Sequence, residues 1–81
     1  MVKANNLKSN IDWFIISRVR QMRLEKGFGQ EDIAIHLQVS TGYIGHVESP
    51  KFAAKYTTVQ INELAKLFNC SPKDFMPDKP L

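Results

Sequence analysis

The sequence has one cysteine, Cys70, so no disulfide can form within the chain, and a reducing, cytoplasmic setting is the expectation. Cys70 reads as a small buried apolar residue rather than a reactive thiol. No apolar run is longer than Trp13-Phe14-Ile15-Ile16, which excludes a membrane-spanning helix of the usual length. Asp12 and Arg18 flank that run too closely for a signal peptide. Histidine is scarce, at two residues. His36, His46 and Cys70 show no metal-ligand spacing and no Ser-His-Asp grouping, so an enzyme is not expected, nor is a cofactor. Repeats, low-complexity segments and strand-like alternation are also missing. The most informative absence is local: residues 30–48 contain neither lysine nor arginine.

The 81 residues suffice for one small domain, and 43% hydrophobic residues make it a globular one. The net charge of +3 permits an anionic partner without requiring one. That charge is unevenly spread. Residues 1–29 carry six basic and two acidic side chains, residues 30–48 none and three, and residues 49–81 five and three.

The apolar periodicity is helical throughout. Residues 1–8 lack it and read as a flexible tail. A first helix starts at Ser9 or Asn10, where Ser9-x-x-Asp12 has capping-box spacing, and Ile11, Ile15, Val19 and Met22 form its expected inner stripe. Gly27 ends it in the left-handed position. A second helix covers 30–37 and a third, capped by Ser40, covers 41 to about 48, where Pro50 prevents continuation. Residues 49–56 read as a loop. Thr57-x-x-Gln60 is a capping box opening a fourth helix, whose inner face is Ile61, Leu64, Ala65 and Phe68. Ser71-Pro72-x-Asp74 starts a last helical turn that returns Phe75 to the core. The expectation is an all-α, five-helix domain over residues 9–77, with a tail at 78–81.

Two short helices joined by a three- to four-residue turn make a helix-turn-helix, and steep crossing of the helices dictates residue types. The first helix needs a small residue at the crossing, here Ala34, beside Ile33 and Leu37 four apart. The turn needs one inward apolar residue, Val39. The second helix needs Ile44 and Val47 three apart. All six positions are filled as required, which places the helix-turn-helix proper at 30–48.

From about Ile15 to Met76 the sequence resembles the phage-repressor-like (Cro/C1-type, XRE) helix-turn-helix family, whose fold is lambda-repressor-like. The matching residues are Val19-Arg20-x-Met22-Arg23, Gly27-Phe28-Gly29-Gln30-Glu31-x-Ile33-Ala34 and Val39-Ser40-x-x-Tyr43-Ile44-x-x-Val47-Glu48. Leu64-Ala65-x-x-Phe68 and Ser71-x-x-x-Phe75 continue the match. Gln38 departs from the family's usual glycine, and the loop holding Ser49-Pro50 lacks its common basic pattern.

The resemblance implies a sequence-specific transcription regulator of repressor type, binding double-stranded DNA as a homodimer with its third helix in the major groove. It also implies which residues do so. Thr41, Gly42, Tyr43, Gly45 and His46 are the candidates for base reading, with Tyr43 alternatively lying over a phosphate or packing on Phe52. Gln30, Ser40, Lys51 and Lys55 are the candidates for phosphate binding, the lysines alternatively being solvated loop residues. Gly42 and Gly45 mark either a close approach to DNA or mere tolerance. Arg23 and Glu48 match a structural ion pair of the family. The rival reading keeps the fold but makes it an interaction or antitoxin-type module, whose acidic segment binds a toxin or other protein. In that case Trp13, Phe14 and Ile16 supply a contact surface; they serve equally as core cover or as a dimer seam.

Overall fold

The structure is a computed structural model and describes residues 7–81. Four α-helices follow one another: α1 (Asn10–Glu25), α2 (Gln30–Leu37), α3 (Thr41–Val47) and α4 (Thr58–Phe68). A 3₁₀ turn at Pro72–Phe75 follows them. The described residues are all-α, and the fifth expected helix is this single 3₁₀ turn. No helix among the described residues is long and apolar enough to cross a membrane.

The helix boundaries follow from local chemistry. The Ser9 hydroxyl accepts from the Asp12 amide at 3.2 Å while the Asp12 carboxylate accepts from the Ser9 amide at 3.0 Å, so two amides that α1 would otherwise leave unpaired are satisfied. Thr57 with Gln60 and Ser71 with Asp74 close the same kind of box at α4 and at the 3₁₀ turn. Three chain reversals use the left-handed region: Gly27 (φ 78°), Gln38 (φ 60°) and Asn69 (φ 56°). Gly27 adopts it freely, whereas Gln38 holds it with a side chain attached, at a cost of about 1–2 kcal/mol.

The core draws on every element. Ile16, Val19 and Met22 of α1 meet Leu64, Ala65 and Phe68 of α4 and Phe75 of the 3₁₀ turn within one buried cluster. Phe68 is its centre, stacked on Phe28 at 6.0 Å and met edge-on by Phe75 at 6.1 Å.

Two expectations need correction here. The inner stripe of α1 is not Ile11–Ile15–Val19–Met22: Ile11 is exposed, Ile15 is half-buried, and Ile16 is the residue in the core. Residues 13–16 are apolar on every side of a turn, so their phase is set by the elements packed against α1, the fourth helix and the 3₁₀ turn. The tail expected over 1–8 is the second. Residues 1–6 lie outside the described residues, but Lys8 is buried, held by hydrogen bonds to the end of α3.

Candidate nucleic-acid interface

α2 and α3 pack closely against each other through the residues the crossing demands. Ile33, Ala34, Ile44 and Val47 are buried, and Leu37 and Val39 are half-buried against the same core. The turn is closed by Gln38 in the left-handed region and by the Val39 amide donating to the Ala34 carbonyl at 3.0 Å. Ser40 then starts α3, its hydroxyl accepting from the Tyr43 amide at 3.0 Å. With Ile44 and Val47 committed inward, α3 turns Thr41, Gly42 and His46 to solvent.

The candidate base readers divide accordingly. Thr41 and Gly42 are exposed. A β-carbon at Gly42 would come no nearer than 3.9 Å to Ser40 Oγ, and one at Gly45 no nearer than 3.7 Å to Gln30 Oε1. Those are ordinary contacts, so nothing in the chain's own packing requires glycine at either position. His46 is exposed but not free-standing: its ring stacks on Phe52 with centroids 3.8 Å apart and planes 15° from parallel. Tyr43 is half-buried, and its hydroxyl donates to the Lys55 carbonyl at 2.7 Å, with Gln60 Oε1 3.1 Å away. Its hydroxyl tethers α3 to the loop before α4.

The candidate phosphate ligands divide too. Lys51 is exposed on the loop after α3. Lys55 reaches back to α1, where its ammonium lies 3.2 Å from Asp12 Oδ2. The Gln30 side chain is turned inward, donating from Nε2 to Glu48 Oε1 at 3.0 Å, because a buried carboxylate needs donors more than solvent does. At Ser40 the capping role uses the oxygen as acceptor and leaves the hydroxyl hydrogen available.

Beneath this surface, Arg23 and Glu48 form a two-pronged ion pair, Nε to Oε2 at 3.0 Å and Nη2 to Oε1 at 2.9 Å. Both side chains are nearly buried, at 7% and 5% exposure. The remaining guanidinium nitrogen donates to the Phe28 carbonyl at 2.9 Å, and Arg20 stands 3.7 Å from the same carboxylate. The pair binds the end of α1 to the end of α3.

Other residues of this region carry no long-range signal in the sequence. The Lys8 ammonium donates to the carbonyls of His46 (3.1 Å), Val47 (2.6 Å) and Ser49 (2.5 Å), so all three of its hydrogens serve the C-terminal end of α3. Its charge also lies 4.9 Å from the centre of the Trp13 ring. Burial pushes the Lys8 ammonium below the ordinary lysine value, with Asp12 opposing. At Asp12 burial favours the neutral acid, but the hydrogen bonds from Ser9 and the Lys55 ammonium outweigh it and hold the carboxyl below its usual value. Tyr56, expected in a loop, is buried, and its hydroxyl meets no partner among the described residues. Burial, with Glu48 nearby, drives that phenol far above its ordinary value. A signal for Tyr56 was present: it precedes the Thr57 cap while Ile61 stands four residues into α4, the spacing of a hydrophobic staple, and both are buried. Cys70 is half-buried rather than buried, and burial raises its thiol.

Comparison with known proteins agrees with this geometry. Residues 16–78 match the family model described as a helix-turn-helix domain. No curated protein sequence is significantly similar. Among solved structures, the restriction-modification controller protein C.AhdI from Aeromonas hydrophila is similar at a TM-score of 0.66 and 26% identity, over 79% of this chain and 94% of that one. A hypothetical transcription factor, NHTF from Neisseria, shares the fold at a TM-score of 0.69 and 18% identity, over 84% of this chain and 76% of that one. With the buried crossing of α2 on α3 and a family match over most of its length, this chain belongs to the helix-turn-helix domain family, of the Cro/C1-like kind, whose members are DNA-binding regulators and not enzymes.

Proposed function

We propose that the protein is a transcription regulator of repressor type that inserts α3 into the DNA major groove. The observation that carries this reading is the division of α3 itself: Ile44 and Val47 are buried, and Thr41, Gly42 and His46 are left outward on a helix short enough to enter a groove. Thr41 offers a hydroxyl and a methyl to base edges, and His46 a ring nitrogen. Gly42 and Gly45, which no internal contact requires, let backbone approach DNA closely. Because α3 has no cation, its neighbours supply the electrostatic grip: Lys51 and Lys55 from the following loop, the Ser40 hydroxyl, and the first amides of α2 beside Gln30. The similarity to a restriction-modification controller protein supports a regulatory role.

A single small domain reads few bases, so the protein acts as a homodimer on half-sites about one helical turn apart. The open face of α1 is the proposed seam. There Phe14 is 37% exposed and Asn10, Trp13, Ser17 and Gln21 line a shallow groove.

Selection of bound duplexes from a random pool, followed by salt titration of the selected duplex, tests the reading. Lys51→Ala should weaken binding to all sequences alike and flatten the salt dependence by about one phosphate. Thr41→Ala and His46→Ala should keep the slope and relax preference at particular base pairs, by about 1–3 kcal/mol per good contact. Folded Thr41 and His46 variants with unchanged affinity and preference would transfer the fold to the protein-interaction reading.

A further inference from the structure

The family match begins at residue 16, yet two residues before it reach the DNA-facing side of the molecule. Lys8 is moored to the carbonyls of His46, Val47 and Ser49, which sets the start of α1 beside the end of α3. One turn further on, Asp12 stands on that same side. Its Oδ2 accepts from the Ser9 amide at 3.0 Å and the Ser9 hydroxyl at 2.9 Å, and lies 3.2 Å from the Lys55 ammonium. Asp12 is therefore fixed by the cap it completes, whereas Lys55 is a long side chain with 56% of its surface exposed. The Lys55 backbone is fixed as well, since its carbonyl accepts from Tyr43. The movable member of the pair is the lysine side chain, and the anion it meets is built into the N-terminus of α1.

From this arrangement we propose that Asp12 is an internal competitor of DNA phosphate for Lys55, and so a residue that sets how tightly the protein grips DNA. In the free protein Lys55 pairs with Asp12. On a duplex it exchanges that carboxylate for a phosphate, leaving Asp12 as an uncompensated anion near the DNA. An exposed ion pair of this kind is weak and exchanges readily, so the pair moderates binding without preventing it. The inference rests on the reading above, in which the loop carrying Lys55 faces phosphate.

The test is a double-mutant cycle on the full chain with duplex DNA of random sequence, measured against salt. Asp12→Asn keeps an oxygen to accept from the Ser9 amide but removes the charge. It should tighten binding about two- to fivefold at moderate salt, and steepen the salt dependence by up to about one ion. In a Lys55→Ala background the same substitution should give a clearly smaller gain, because only the repulsion between Asp12 and phosphate is then left to relieve. A carboxyl NMR titration of the unaltered protein gives an independent readout: the Asp12 pKa should rise on addition of duplex, as Lys55 departs and phosphate approaches. An Asp12→Asn variant with wild-type affinity and slope overturns the proposal, as does a gain that is undiminished without Lys55. Either result leaves the regulator reading intact if the unaltered protein still binds duplex with a steep salt dependence. Absence of that dependence in the unaltered protein removes the reading and the competitor together.

Discussion

Substituting Glu48 by alanine tests the arrangement under α3 most severely. The Glu48 carboxylate takes two hydrogen bonds from Arg23 and one from Gln30, at 2.9–3.0 Å, with 5% of the side chain exposed. Its removal leaves the Arg23 guanidinium, itself 7% exposed, with only the Phe28 carbonyl as partner. Stranding one charge of a buried pair costs about 3–5 kcal/mol. At about 0.05–0.15 kcal/mol per residue, a domain of this length has roughly 4–12 kcal/mol in total. The melting temperature should therefore fall by at least about 12 °C, at about 4–8 °C per kcal/mol for a domain of this size. Replacing both partners by apolar residues of similar volume, Arg23→Met with Glu48→Leu, should cost much less, because neither charge is then left buried alone. Thermal and urea unfolding followed by circular dichroism would measure both variants. A Glu48→Ala loss under about 1 kcal/mol, or a double variant as unstable as the single one, would refute the argument that stranding a buried charge dominates.

Three further outcomes are expected. Val47→Asp, which places a carboxylate at a fully buried position with no partner, should abolish the cooperative melt, since such burial costs several kcal/mol. Gln38→Gly should raise stability by about 1 kcal/mol, because glycine adopts φ near 60° without the side-chain penalty; an unchanged or lower urea midpoint would count against strain there. The Asp12 carboxyl is held below its ordinary value in the folded state, so its contribution is complete above the ordinary carboxylate range. It is lost as pH falls through the lowered value, and Asp12→Asn should flatten the acid limb of the stability profile.

Where the sequence speaks through local chemistry, it can be read closely. Ser9 with Asp12, Ser40, Thr57 with Gln60 and Ser71 with Asp74 all cap as their spacing indicates. The helix-turn-helix crossing was equally legible, since a steep crossing constrains Ala34, Ile44 and Val47 by size alone. The phase of α1 was not, because Trp13 to Ile16 are apolar on all sides and only the packed neighbours choose among them. Side chains at the candidate interface were least legible. Tyr43 and Gln30 are polar, lie half-buried beside the proposed surface and suit DNA by type. Their commitments to the Lys55 carbonyl and to Glu48 depend on segments 12 and 18 residues away. The destinations of Lys8 and Lys55 are long-range in the same sense, and no periodicity encodes them.

The mooring of Lys8 bears on how the chain acquires its shape during synthesis. A helix of seven residues is too short to persist alone in water. The cation that occupies the C-terminal carbonyls of α3 is synthesised 38 to 41 residues before they are. That cation has therefore already emerged when residues 30–48 are made, and α3 can be capped as soon as it packs on α2. Protection of α3 therefore rests on a contact that spans 38 to 41 residues of sequence, and not on its own length.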